Sequence, residues 1–200
     1  TRHLGLERVA IVDYDVHHGN GTQDIFYDDP AVLFCSTHAA PFYPGTGSLG
    51  EMGDRIRAPG ATLNVPLPFG AGDRGYAQVF AEVIAPALRR FRPQLILVSA
   101  GFDAHWTDPL GPMVLSVSGF AGLNQALLGL ADELCDGRLV MVLEGGYDLD
   151  ALAACVVASL RQLLGRDPGP DPIGEVSAPE PLPEIERVIA ELKERHPLLA

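Results

Sequence analysis

Five short apolar runs punctuate the chain: residues 8–13, Val32–Thr37, Thr62–Pro66, Gln94–Ala100 and Arg138–Leu143. They are nearly continuous in apolar residues and do not alternate with polar ones. That pattern belongs to strands buried on both faces of a parallel sheet. Between the runs the period changes to that of a helix. A short helix is predicted over about 21–27, with Asn20 and Gln23 spaced as a capping box. From Asp73, the residues Tyr76, Val79, Phe80, Val83, Ile84, Ala87, Leu88 and Phe91 mark one apolar face. Pro86 lies inside that pattern and predicts a kink or a local break in the hydrogen bonding. Phe120, Leu123, Leu127, Leu130 and Leu134 mark the next helix. Asp148 is placed to cap a last core helix that Gly165 ends.

Two stretches break the alternation. Residues 38–61 form a loop rich in Gly and Pro, and loops of that length are usually functional. Residues 165–183 hold six prolines, at 168, 170, 172, 179, 181 and 183, and read as a linker or extended surface segment. Ile185, Val188, Ile189 and Leu192 then predict an amphipathic helix packed on the domain's own surface. Strand–helix alternation with apolar strands implies an α/β fold around a mainly parallel sheet. In such sheets ligands bind outside the carboxyl ends of the strands.

Three strand ends carry chemistry. The first run ends in Asp13-Tyr14-Asp15-Val16-His17-His18-Gly19, the fourth in Gly101-Phe102-Asp103, and the fifth in Glu144-Gly145-Gly146-Tyr147. Asp15 and His17 are two residues apart, so in an extended segment their side chains point the same way. Each alone is as readily a cap or a core pair, and Asp103 alone a turn residue. Together at two strand ends they suit Zn²⁺, or Fe²⁺ or Co²⁺, with a coordination position left for water. A fourth anionic ligand would close the site, so Asp13 is expected to serve elsewhere. Tyr147 is placed to donate a hydrogen bond to a developing oxyanion, or else simply packs over the sheet edge.

Composition narrows the partners. The net charge of −12 argues against direct nucleic-acid binding. No apolar run approaches the roughly 20 residues of a membrane span. Cys35, Cys135 and Cys155 are widely spaced and read as buried free thiols of a reducing compartment, implying a cytoplasmic location.

Five ordered segments carry a resemblance. They are Asp15–Gln23, Phe42-Tyr43-Pro44-Gly45-Thr46-Gly47, Asn64–Pro68, Ser99–His105 and Leu143–Tyr147. Over about residues 8–165 the chain resembles the zinc-dependent histone deacetylase family, most closely its class II-like and bacterial members, which include acetylpolyamine amidohydrolases. The resemblance implies the arginase–deacetylase three-layer fold, and removal of acetyl groups from acetyl-lysine or acetylpolyamine amides by metal-activated water. It implies Asp15, His17 and Asp103 as zinc ligands and Tyr147 as the phenol on the substrate carbonyl. It implies a structural potassium ion at the Asp13 carboxylate, the main-chain oxygens of Asp15, His17 and Thr37, and the Ser36 side chain. A second, peripheral cation site falls near Phe26, Asp29 and Val32. Tyr43, Gly146 and Leu110 are expected to contact the substrate.

One departure from the family pattern is large. The family's His-His general acid–base pair lies upstream of the first segment, and the only adjacent pair here is His17-His18, with His17 matched to a metal ligand. Residues 1–165 are therefore expected to be a partial catalytic domain without its N-terminal strands, followed by a proline-rich linker over 166–183 and a helix and tail over 184–200. By itself the chain is expected to be inactive. The run Arg138–Leu143 should present an unpaired apolar edge, open to aggregation, partner pairing or homo-oligomer formation. The alternatives are a non-catalytic metal-binding module and an arginase-like ureohydrolase. The latter needs two manganese ions and more clustered carboxylates.

Overall fold

The computed structural model describes residues 5–176 and 182–200. Five parallel strands form one sheet: β1 (Val9–Asp13), β2 (Val32–Ala39), β3 (Thr62–Leu67), β4 (Leu95–Ala100) and β5 (Leu139–Leu143). Their order across the sheet is β3-β2-β1-β4-β5. The chain builds outward from β1 in one direction, then returns to β1's other side and builds outward again. The switch point of the sheet therefore lies between β1 and β4, where open α/β sheets bind ligands.

The helices are α1 (Asn20–Phe26), α2 (Asp73–Val79), α3 (Ala85–Phe91), α4 (Val117–Cys135), α5 (Leu149–Leu163) and α6 (Pro183–Arg195). Side chains alternate across β1. Ala10 and Val12 enter the large core with Val83, Leu88, Phe120 and Leu127. Ile11 points to the opposite face, where a small cluster with Val32, Phe34 and Leu97 is covered by Phe26 of α1. This is the α/β fold around a parallel sheet that the strand pattern implies, in the three layers that the resemblance implies, with one face covered much more thinly than the other.

Pro86 has the predicted effect in a particular form. Between α2 and α3, Phe80–Ile84 forms a π-helical turn, and Pro86 sits in the first turn of α3. Proline has no N–H to donate, so the ladder is locally re-registered and the helix runs on. Asp148 caps α5 by accepting from the Asp150 and Ala151 N–H groups. The expected capping box at Asn20 is not formed. Asn20 is already helical, the cap is Gly19, and no side chain accepts there. Gln23 turns inward and spends its polar atoms on His18, Glu51 and Asn64. All three cysteines are free and buried.

The proline-rich segment is tied to the surface as far as residue 176. The Trp106 indole donates to the Gly174 carbonyl at 2.9 Å, and the Ser118 N–H donates to the Asp171 carboxylate at 3.2 Å. Pro179 and Pro181 lie outside the described residues. In α6, Ile185, Ile189 and Leu192 join the main core, and Lys193 pairs with Glu82 at 2.5 Å. Each such apolar side chain contributes up to about 1.5–3 kcal/mol by leaving water. β5 is the sheet edge. Val140, Val142 and Leu143 are about half exposed, and Leu149, Val157, Leu160 and Leu164 line an equally open face along α5 and its end.

His196 closes the C-terminal tail. Its Nε2 donates to the Thr62 carbonyl at 2.9 Å and its Nδ1 accepts from the Leu198 N–H at 3.3 Å, so the ring is neutral. Burial lowers its pKa below 6.5. As pH falls, the unfolded chain takes up this proton first, so the contribution is present above about 6.5 and is lost below it. Unfolding in urea from about pH 7.5 to about pH 5 should show falling stability, and a smaller fall in His196→Gln. An identical fall in that variant would remove His196 from the account.

Candidate metal centre

The switch point brings the first and fourth strand ends together. β1 ends at Asp13, and the Tyr14 N–H donates across to the Ser99 carbonyl at the end of β4, at 3.2 Å. Beyond that the backbone turns. The Asp15 N–H donates to Asp13 Oδ1 at 3.0 Å, and the His17 N–H to Asp15 Oδ1 at 2.9 Å. Asp15 and His17 thus meet as the two-residue spacing suggests, but through a bend whose N–H groups fold onto carboxylates.

His17 Nδ1 lies 3.1 Å from Asp15 Oδ1 and 3.2 Å from Asp103 Oδ2. Ligand atoms of the three residues all fall within 4.8 Å of one another. The remaining oxygens are used to fix them. Asp103 Oδ1 accepts from the Val16 N–H at 2.8 Å, and Asp15 Oδ2 from the Gly145 N–H at 3.0 Å. Asp103 Oδ2 is fully buried and accepts no well-aligned hydrogen bond; the polar atom set against it is His17 Nδ1. A buried carboxylate oxygen needs a compensating partner, and a cation in that place supplies one. Two carboxylates and an imidazole also form a donor set suited to Zn²⁺, so the residues fit the metal.

The electrostatics agree. The Asp103 carboxylate, and then that of Asp15, push the His17 imidazole up to about 10. Burial chiefly raises the Asp103 carboxyl. Burial also acts against the Asp15 charge, but hydrogen bonds from His17 and Gly145 outweigh it and hold that carboxyl low. A metal at His17 Nδ1 needs the ring nitrogen deprotonated, so metal and proton compete for that atom.

Asp13 is buried, in register with Ser36 on one side and Ser99 on the other. Burial, with Glu144 and Asp15 nearby, pushes its carboxyl well above the usual range. The Thr37 hydroxyl donates to the Asp13 carbonyl at 3.4 Å, and Ser36 Oγ lies 3.0 Å from His38 Nδ1. At the rim, the Phe42 ring stacks on His17 with centroids 5.3 Å apart, and Tyr43 meets it edge-on at 6.1 Å. Tyr43, Leu110 and Tyr147 are exposed. Gly146 has a φ of 132°, a conformation that favours glycine.

Sequence reasoning missed several contributors. A Cβ at Gly101 would collide with Asp15 Oδ2, and one at Gly145 with both Asp103 Oδ2 and Asp15 Oδ2. Phe42, not Tyr43, stacks on the ligand-type imidazole. Asp108 is buried and accepts the Tyr147 N–H at 2.7 Å. Only the Asp-Pro pair at 108–109 hinted at it, as a turn former.

Known proteins resemble this chain in sequence and fold. The family described as "Histone deacetylase domain" matches residues 1–163. The chain belongs to the histone deacetylase family. Histone deacetylase 14, chloroplastic, of Arabidopsis thaliana is 48% identical over 163 residues, covering 82% of this chain and 38% of that protein. The histone deacetylase-like amidohydrolase of Pseudomonas aeruginosa is 45% identical over 177 residues, covering 84% and 45%. The solved HDA15 HD domain superposes with a TM-score of 0.82 at 37% identity, covering 99% of this chain and 55% of that one. The histone deacetylase Clr3 gives 0.81 at 38% identity, covering 94% and 31%. The deacetylase-family chain thus spans less than half the length of these two curated relatives. Among the described residues no helix is long and apolar enough to cross a membrane. One of these relatives is named chloroplastic, so membership in the family does not fix a compartment.

Gly145→Ala sets a methyl group against both ligand-type carboxylates. Zinc affinity, read by competition with a chromophoric chelator, should fall by about 10–100-fold, the scale on which residues around ligands act. Unchanged affinity would show that these carboxylates do not hold the metal.

Proposed function

We propose that this chain carries the metal-binding and carbonyl-polarising part of a zinc-dependent deacetylase acting on acetyl-lysine or acetylpolyamine-type amides. The observation that carries the reading is the triad of Asp15, His17 and Asp103, with its fully buried Asp103 oxygen set against His17 Nδ1, at the switch point of a deacetylase-family sheet. Asp15, His17 and Asp103 hold zinc, or Fe²⁺ or Co²⁺ in its place. Bound there, zinc lowers the pKa of water to about 7 and polarises a carbonyl oxygen. Tyr147 donates its phenolic hydrogen to that oxygen. Slight burial and the Asp103 and Asp15 charges raise its pKa, so the proton stays in place. Tyr43, Gly146 and Leu110 flank the acyl chain. Asp13 holds a structural potassium ion with the main-chain oxygens of Asp15, His17 and Thr37 and the Ser36 hydroxyl.

The general base is not among the described histidines. His18 has both ring nitrogens engaged, by Thr46 and Gln23, and burial lowers its pKa. His38 is held by Ser36 and Gly47, and burial with the neighbouring His18 depresses it to about 4. His105 is fully buried. On this reading the base lies outside the described residues, and the half-exposed apolar edge of β5 with the open face of α5 is a surface on which a further element could pack. An arginase-like two-metal chemistry is disfavoured, because a single cluster of three ligand-type residues occurs among the described residues.

Metal analysis of the purified chain should give about one zinc per molecule. Both Asp103→Ala and His17→Ala should lose it. Asp13→Asn should keep zinc but lose the rise in melting temperature that potassium gives over lithium. The 200-residue chain should not hydrolyse an acetyl-lysine peptide or N-acetylputrescine. Undiminished zinc in either ligand variant, or two ions per chain, would overturn the site. Zinc-dependent turnover by this chain would overturn the placement of the base.

A further inference from the structure

Asp108 connects two parts of the site that the sequence keeps far apart. Its Oδ1 accepts from the Leu110 N–H at 2.8 Å. Its Oδ2 accepts from the Tyr147 N–H at 2.7 Å and from the Asp148 N–H at 3.3 Å. The residue is buried, and no ion pair to it occurs among the described residues. A buried carboxylate satisfied wholly by backbone N–H groups is uncommon, and it fixes the backbones that supply them.

The loop it holds has little else to fix it. Gly145 and Gly146 precede Tyr147, and Gly146 adopts a φ of 132° that offers no side-chain restraint. On the upstream side, the Gly145 N–H is anchored on Asp15 and its carbonyl on the Phe102 N–H. On the downstream side, Asp148 is engaged as the cap of α5. Tyr147 stands between these anchors with its side chain half exposed, and its own backbone contact is Asp108. The same carboxylate holds Leu110, which the proposed reading puts at the substrate.

We propose that Asp108 is a positioning residue. By accepting the Tyr147, Asp148 and Leu110 N–H groups on one carboxylate, it fixes the Tyr147 phenol relative to the metal triad and the Leu110 wall. Only a carboxylate serves, because every group facing it is a donor. An asparagine of the same size would turn an NH₂ toward one of those N–H groups. The catalytic value of this placement rests on the role proposed above for Tyr147. The strap itself does not.

Asp108→Asn in the zinc-loaded chain separates the two. Zinc stoichiometry and affinity should match the wild type. Amide hydrogen exchange at Tyr147 and Asp148 should accelerate by about ten-fold or more, the loss expected for hydrogen bonds to a charged acceptor. Unchanged exchange at both amides would overturn the strap, and loss of zinc would reassign Asp108 to the metal ligands. Acetohydroxamic acid, a small carbonyl-bearing zinc chelator, tests the consequence by NMR titration. Tyr147→Phe and Asp108→Asn should each weaken its binding by about three- to ten-fold, and the double variant should bind no worse than Tyr147→Phe. Additive losses would overturn positioning through Tyr147. If Tyr147→Phe alone leaves the affinity unchanged while exchange in Asp108→Asn is accelerated, the proposed role of Tyr147 fails and the strap is structural only.

Discussion

Two carboxylates held against one imidazole are the constraint to which the rest of the structure conforms. Asp15 and Asp103 reach His17 from the ends of neighbouring strands, with ligand atoms within 4.8 Å. Like charges at that spacing repel by on the order of 3 kcal/mol in a partly screened site. Asp13 and Glu144 add to the field, and burial together with these charges raises Asp13. A protein holds such a cluster only with compensating positive charge, by protonating some of its members, or with N–H groups aimed at the carboxylates. This chain sets the His17 imidazole between the two carboxylates and uses the backbone of Val16, His17 and Gly145 as donors. Gly101 and Gly145 follow from the same crowding, since a side chain at either position would displace a carboxylate.

The strand order supplies the crowding. With β1 between β2 and β4, the segments after β1 and β4 leave the sheet side by side, and β5 adds the Gly-Gly-Tyr loop next to them. The loop after β2 brings Phe42 and Tyr43 over His17 from the other direction. The site is thus built from four excursions at one end of the sheet. Its stability depends on a core that lies mostly on one face, while the β5 edge and the outer face of α5 remain open.

Much of this was legible in the sequence, for identifiable reasons. Continuous apolar runs located every strand to within two residues, because strands buried on both faces tolerate little else. Asp15, His17, Asp103 and Tyr147 stood out because charged or phenolic groups directly follow such runs. The failures share a cause. Gln23 looked like a capping partner, but its tertiary neighbours His18 and Asn64 outcompete a local backbone bond. Asp108 did not stand out, since locally it is a turn former that accepts from its own Leu110. Its second oxygen finds Tyr147 39 residues away, which no local pattern encodes. Pro86 announced a disruption, and the structure gives it the form of a π-helical turn over Phe80–Ile84. The conversion of extended spacing into a bend at Asp15 and His17 likewise required knowing where β1 stops.

The central claim is that two carboxylates and one imidazole at the switch point bind zinc. X-ray absorption at the zinc edge of the loaded chain tests it most directly. The account predicts a first shell of nitrogen and oxygen only, at about 2.0–2.2 Å, with one imidazole contribution and no sulfur. A zinc–sulfur distance near about 2.3 Å would put the metal on Cys35, Cys135 or Cys155 and contradict it.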